Sequence, residues 1–214
     1  MTELASILLA VHIASGLAAL ASALVAASVK ALGLPHRWHV LAGRLFVAGM
    51  FGIFLTAVPL SLIGGILFLL LVAILSFYLA IAGWREAVRH RSRGAWIDRV
   101  APIAMLLAGV VMAGWGVLGL VAGNVGGIVL LVFGAIGLLV SVEDLRLIGR
   151  PIEGRARIAH HMSRMMGATI AVITAFLVVN VHFEPGWIVW LGPTALLTPV
   201  IFLWANRIRA GRIA

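Results

Sequence analysis

Long apolar runs separated by short polar segments dominate the sequence. Seven runs can be marked, at residues 4–29, 40–63, 66–82, 100–120, 125–142, 165–181 and 187–205. Each is close to the roughly 20 residues that an α-helix needs to cross the hydrocarbon core of a bilayer. The pattern predicts an all-α, polytopic integral membrane bundle of seven transmembrane helices, forming a single domain over residues 1–214. Gly64-Gly65 predicts the break between the second and third helices, the alternative being one very long kinked helix.

The composition supports this class. Of the 214 residues, 63% are hydrophobic and 11% are charged, whereas soluble domains carry about a quarter charged residues. The net charge of +9 would also suit a nucleic-acid-binding protein, but the charges lie in short clusters between apolar runs, so we expect no nucleic-acid partner. Because the chain has no cysteine, any metal or haem must be held by histidine, methionine or carboxylate.

The basic residues predict the topology. All sixteen lysine and arginine residues lie in or beside alternate connections and in the C-terminal tail, and none lies at the N-terminus or in the connections at 61–65, 122–127 and 182–186. Lysine and arginine accumulate on the cytoplasmic side of membrane proteins. The N-terminus is therefore predicted outside and the C-terminus in the cytoplasm, with anionic lipid headgroups as partners of the basic face.

The first helix carries two separate signals. Ser15, Ala19, Ala23 and Ala27 recur at four-residue steps, which favours close helix packing and predicts a position at the bundle centre. His12 is the one ionisable residue well inside an apolar run. It is interpreted as a neutral histidine bonded to a neighbouring helix, as a haem or metal ligand, or as a proton-relay or substrate contact.

A second group of histidines is predicted at the cytoplasmic interface. His36 and His39 open the second helix and His160 and His161 open the sixth, so the two pairs could meet if these helices are neighbours. Solvated interface histidines are the simpler alternative. His12 lies in the outer half of the membrane and is not expected to share an iron with them.

Glycines beside these histidines favour a haem. Gly16 follows His12 and Gly43 follows His39 by one helical turn, which leaves a side-chain-free strip on the same helix face. Arg44 and Arg164 lie where haem propionates would emerge. The pattern predicts haem b held by His39 with His161 or His160, and a second, outer site at His12.

The end of the fifth helix carries a further charged group. Glu143, Asp144 and Arg146 are interpreted as an interfacial ion-pair network with Arg150, Arg157 or Arg164. The functional alternative is that Asp144 and Arg146 act beside the site, with Asp144 orienting an imidazole or accepting a proton.

Several of these motifs carry a family resemblance. They are His12-Ile13-Ala14-Ser15-Gly16, His39-x-x-x-Gly43-Arg44, Asp144-Leu145-Arg146 and His161-Met162-Ser163-Arg164. The chain resembles prokaryotic predicted membrane proteins catalogued as domain of unknown function 2306. The resemblance implies a multi-pass protein of the bacterial inner membrane and marks His12, His39, Asp144, Arg146, His161 and Arg164 as motif positions. It implies no activity.

Two hypotheses of function follow, and neither decides whether the protein is an enzyme. The first is a haem-b electron-transfer protein that exchanges electrons with a quinone or a partner membrane protein. The alternative is a non-redox transporter, channel or membrane assembly subunit in which His12 lines a polar pathway. P-loop, nucleophile-elbow, dinucleotide-binding and zincin motifs are not found, so hydrolase and nucleotide-dependent functions have no support.

Overall fold

The computed structural model describes residues 3–88, 95–150 and 152–212. Within these ranges the regular structure is entirely α-helical, and each of the seven helices is long and apolar enough to cross a membrane. The helices are α1 (Glu3–Ala31), α2 (His36–Ile63), α3 (Leu67–Val88), α4 (Ile97–Val121), α5 (Gly127–Arg146), α6 (Gly154–Asn180) and α7 (Trp187–Arg209). The predicted seven-helix membrane bundle is therefore confirmed. Arg89, Arg91 and Arg93 of the second basic connection lie outside the described residues.

Two helix boundaries are informative. The break at Gly64-Gly65 is confirmed, and Gly65 has a φ of 65°, a left-handed conformation that glycine adopts without steric cost. The prediction that His160 and His161 open the sixth helix is wrong, because α6 begins at Gly154, before both histidines and before the apolar run at 165–181. Its first three turns are polar, and hydropathy alone does not detect them. His160 and His161 consequently lie within α6 rather than opening it.

The bundle is organised around α3, which packs against α2, α4, α5 and α6. Helix α1 packs against α2 and touches α6 but does not contact α3, so the prediction that α1 lies at the bundle centre is wrong. The small residues of α1 allow a close approach on one face only, since Ile7, Val11 and Leu24 on the other faces are exposed.

Four helices form a closed ring. In the order α1, α2, α3 and α6, each packs against the next, and α6 returns to α1. Helices α2 and α6 do not pack against each other, which places them diagonally across the ring. The α4–α5 hairpin and α7 lie on the other side of α3 and α6, so α3 and α6 belong to both halves of the molecule.

Glycines set the helix spacing at two seams. Between α1 and α2, a Cβ atom at Gly49 would lie 2.9 Å from the carbonyl oxygen of Ser15. Between α4 and α5, a Cβ atom at Gly116 would lie 2.5 Å from the backbone nitrogen of Leu131. Close backbone approach of this kind is a principal source of helix association in membranes, where lipid competes for apolar contacts.

Replacing Gly116 by leucine should force α4 and α5 apart and destabilise the protein by about 1–3 kcal/mol or more, because overpacking strains a filled seam. Gly114 on the same helix is the matched control, since a Cβ atom there has no neighbour within 4 Å. Thermal unfolding of Gly116→Leu and Gly114→Leu in detergent measures the difference. Equal melting temperatures for the two variants would contradict the seam.

The predicted topology can be tested with single cysteines, because the chain has none of its own. A membrane-impermeant thiol reagent added to intact spheroplasts should label Glu184→Cys and leave Arg155→Cys unlabelled until the cells are lysed. The positive-inside rule is the physical basis for this expectation. Labelling of both positions in intact spheroplasts, or of Arg155→Cys alone, would refute the orientation.

Candidate functional site

The polar side chains of interest gather at one end of the bundle. Here the last turns of α1, α3 and α5 meet the first turns of α2 and α6, as the contacts His39–Ala26 and His161–Gly83 demonstrate. We refer to this as the arginine-rich end, because the connections and tail at this end hold the lysine and arginine residues. It contains a histidine pair on one side of α6 and a buried ion-pair network on the other.

His39 of α2 and His161 of α6 face each other across the four-helix ring. Their ring centres lie 6.4 Å apart, and the ring planes form an angle of 79°. The exposed ring of His36 stacks on that of His39, with the two ring centres 5.8 Å apart. Since α2 and α6 do not pack directly, these side chains bridge the two helices. The sequence left His160 and His161 as alternatives, and the structure places His161 beside His39.

Backbone carbonyl groups fix the orientation of both rings. Nδ1 of His39 lies 3.1 Å from the carbonyl oxygen of Ala26, and Nδ1 of His161 lies 2.8 Å from that of Gly83. A carbonyl oxygen only accepts hydrogen bonds, so each Nδ1 carries a hydrogen and donates it. In the neutral imidazole, Nε2 then has a free lone pair, which is the arrangement found in metal-ligating histidines.

His160 has a different environment, although it is adjacent in sequence to His161. It is 4% exposed, and its Nε2 lies 3.1 Å from Oδ1 of Asp144. That approach is within ion-pair range but lacks hydrogen-bond alignment, and Nδ1 has no hydrogen-bond partner among the described residues. The predicted pairing of Asp144 with an imidazole therefore involves His160 and not the His39–His161 pair.

Asp144 and Arg164 form the centre of the buried ion-pair network. Nη2 of Arg164 lies 2.7 Å from Oε2 of Glu143 and 3.2 Å from Oδ1 of Asp144, and it donates to the carbonyl oxygen of Val140. The predicted ion-pair network with Arg164 is thus confirmed. Because α5 and α6 do not pack directly, these polar contacts link them. Arg146 is exposed on α5 and lines a surface groove with Glu143.

Two participants in this region were missed by the sequence analysis. Tyr78 donates a hydrogen bond of 2.5 Å to Oδ2 of Asp144, and Glu86 is 4% exposed. Both line a cavity of about 30 Å³ together with Asp98, Asp144 and His160. A signal was present, because Tyr78 is the only tyrosine in the chain and Glu86 follows it at i+8, a spacing that belongs to one stripe of a helix.

Two arginines near the cavity bond to groups at the end of α3 and the start of α4. Arg157 of α6 donates from Nε to the carbonyl oxygen of Glu86 at 2.7 Å and from Nη2 to that of Ala87 at 3.2 Å. These carbonyl groups belong to the last turn of α3, where they lack partners within the helix. Arg85 pairs with Asp98 at the start of α4 through two contacts of 3.0 and 2.8 Å.

His12 lies far from this end, as expected. Its Nδ1 is 2.9 Å from Oγ1 of Thr56, and that hydroxyl lies 2.7 Å from the carbonyl oxygen of Gly52. Thr56 has one hydroxyl hydrogen, which it donates to the carbonyl, so it accepts from Nδ1 of His12. The interpretation of His12 as a histidine bonded to a neighbouring helix is confirmed.

The predicted glycine and arginine positions differ in their surroundings. Cβ atoms at Gly16 or Gly43 would meet nothing within 4 Å, so both glycines leave open space beside their histidines. Arg44 is exposed and available to an anionic group. Arg164 is 5% exposed and bonded to protein carboxylates, so its predicted contact with a propionate gains no support from this geometry.

Comparison with known protein families, with curated proteins and with solved structures gave no match. The resemblance to the family of unknown function 2306 therefore stays a prediction. Within the described ranges, no group of three or more histidine, aspartate or glutamate residues is placed to hold a metal ion.

Removing the charge of Asp144 should destabilise the protein strongly. In Asp144→Asn, the buried Arg164 retains only the half-exposed Glu143 as a carboxylate partner, and breaking a buried ion pair costs about 3–5 kcal/mol. The matched control is Arg146→Gln on the same helix, which should change the free energy of unfolding by less than about 0.5 kcal/mol. Reversible unfolding in mixed micelles measures both. A cost for Asp144→Asn no larger than the control would show that the network is dispensable.

Proposed function

We propose that this chain is a haem-b electron-transfer protein of the bacterial inner membrane, in which His39 and His161 would hold the iron. The observation that carries the proposal is that these two rings lie side by side with each Nδ1 bonded to a backbone carbonyl oxygen, while neither Nε2 has a hydrogen-bond partner among the residues that the structure describes. In helical bundles, cofactor sites are commonly built from side chains on facing helices.

The separation of the rings leaves room for a shared ligand. Their centres lie 6.4 Å apart, and metal–imidazole bonds are about 2.0–2.1 Å long, so His39 and His161 could both hold one iron.

The surroundings of the pair suit a flat macrocycle. Helices α2 and α6 are not packed against each other, and Gly43 leaves open space one turn beyond His39 on the same helix face. Arg44, the next residue, is exposed at the arginine-rich end and can pair with a propionate. We assign that contact to Arg44 rather than to Arg164.

The two histidines also favour electron transfer over other haem chemistry. Haem supplies one-electron chemistry when bound, and two protein ligands leave no coordination position for a substrate. The donation of each Nδ1–H to a carbonyl oxygen makes the opposite nitrogen a stronger ligand. A lipid-soluble quinol or a partner membrane protein is the class of redox partner that a site within a membrane bundle can reach.

Purification from haem-replete cells provides the test. The wild-type chain should show a Soret band and a pyridine haemochrome of haem b, because His39 and His161 would both hold the iron. His39→Ala and His161→Ala should each lose the low-spin component of the spectrum, and added imidazole should partly restore it.

His36→Ala is the matched control, since His36 stacks on His39 but is exposed. This variant should keep the low-spin spectrum, and size-exclusion profiles should confirm that all the variants remain folded. A wild-type protein without a Soret band would remove the proposal, as would an equal loss of the low-spin component in His36→Ala.

A further inference from the structure

The cavity of about 30 Å³ at the arginine-rich end is enclosed by four helices. One stripe of α3 and the first two turns of α4 form most of its wall, while α5 contributes Asp144 and α6 contributes His160. The His39–His161 pair lies on the other side of α6. The cavity is therefore separate from the site of the proposed function.

His160 provides the observation that points to a ligand in this cavity. Its side chain lines the cavity and is 5% exposed, yet neither ring nitrogen has a hydrogen-bond partner among the described residues. Nε2 approaches Oδ1 of Asp144 at 3.1 Å, but without hydrogen-bond alignment. Buried polar groups in folded proteins nearly always have a partner, either a protein group or an ordered water molecule.

The other lining groups have the chemistry that a water molecule requires. Tyr78, Glu86, Asp98 and Asp144 add one hydroxyl group and three carboxylates to the ring of His160. Each carboxylate has about four acceptor positions, so it can accept a further hydrogen bond beside those that it already makes. A buried water makes about three hydrogen bonds, and a polar cavity of this volume has room for at least one molecule.

Water suits the cavity better than an ion or an organic ligand. Arg85 lines the cavity beside Asp98, to which it is bonded, so its charge repels a metal cation. The volume is too small for an organic ligand. Water both donates and accepts hydrogen bonds, so it can satisfy the imidazole of His160 in either tautomer.

The cavity also has a wall at the aqueous surface. The side chain of Arg85 is 23% exposed, whereas that of its partner Asp98 is 5% exposed, and both line the cavity. The pair therefore stands between the cavity and the aqueous phase at the arginine-rich end. A water molecule bound inside can exchange at this point.

We infer that the cavity is a binding site for water, in which a bound water links His160 to carboxylates on α3, α4 and α5 and exchanges with the aqueous phase at the arginine-rich end. Such a site joins α5 and α6 where these helices do not pack directly. It also brings exchangeable solvent hydrogen to Tyr78 and Asp144 inside a membrane bundle. The inference goes beyond the proposed function and does not depend on haem.

Radiolytic hydroxyl-radical labelling of the full-length protein in detergent tests the site, because radicals formed from a bound water oxidise the side chains around it. Tyr78 lines the cavity and is 4% exposed. Phe46 is 1% exposed and lies outside the cavity lining, so it is the internal reference. Mass spectrometry should find Tyr78 modified and Phe46 unmodified in the wild type. A Tyr78 as unreactive as Phe46 would overturn the inference without any variant.

Ala101→Leu removes the space for water. Ala101 lines the cavity, so a leucine there should occupy its volume, and the modification of Tyr78 should be lost. Ala104→Leu is the matched control, because Ala104 lies on the same helix but is exposed and outside the lining. This variant should keep the modification. Persistence of Tyr78 modification in folded Ala101→Leu would show that radicals arrive from bulk solvent, which would also overturn the inference.

Rapid mixing with water enriched in the heavy oxygen isotope tests the exchange. Irradiation after mixing should place the heavy isotope in the modified Tyr78 of the wild type. Retention of the ordinary isotope after full equilibration would show that the cavity is closed to the aqueous phase, against the inference. None of these outcomes depends on whether the protein carries haem, so failure of this inference and failure of the proposed function are distinguishable.

Discussion

The structure depends on how polar side chains are satisfied within α6. Its first three turns carry His160, His161, Arg157 and Arg164, and a membrane bundle has no water in its interior to take up their hydrogen bonds. Each side chain therefore reaches a neighbouring helix: Arg157 and His161 bond to α3, while Arg164 bonds to α5 and His160 approaches it. These contacts hold the arginine-rich end together where α6 does not pack directly on α2 or α5.

The adjacent residues His160 and His161 point to opposite sides of α6. Successive residues on an α-helix point about 100° apart, so two identical side chains face two different environments. His160 enters the side occupied by Asp144, Tyr78 and the small polar cavity. His161 enters the four-helix ring and approaches His39. One side chain thereby joins a buried electrostatic network, while the other lies against a second histidine ring.

A glycine between α3 and α6 makes the contact of His161 possible. A Cβ atom at Gly83 would lie 2.8 Å from the side chain of Met165, so the residue allows α3 and α6 to approach closely. The carbonyl oxygen of Gly83 is the acceptor that fixes the ring of His161. The position of His161 in the ring of helices is therefore coupled to a close approach of α3 and α6 that only a small residue permits, at a packing contact one turn further along α6.

The number of helices, most of their bounds and the gathering of histidines at one end followed from the sequence, because hydropathy and charge act locally and the bilayer fixes the length of each span. The polar start of α6 did not follow from the sequence, because hydropathy does not detect a polar helical segment. The peripheral position of α1 did not follow either, because a row of small residues allows close packing without specifying the partner helix. The choice between His160 and His161, the partners Tyr78 and Gly83, and the burial of Arg164 were decided by tertiary structure alone. Those properties depend on the rotation of each helix about its axis, and that rotation is set by polar groups on other helices that must be satisfied at the same time.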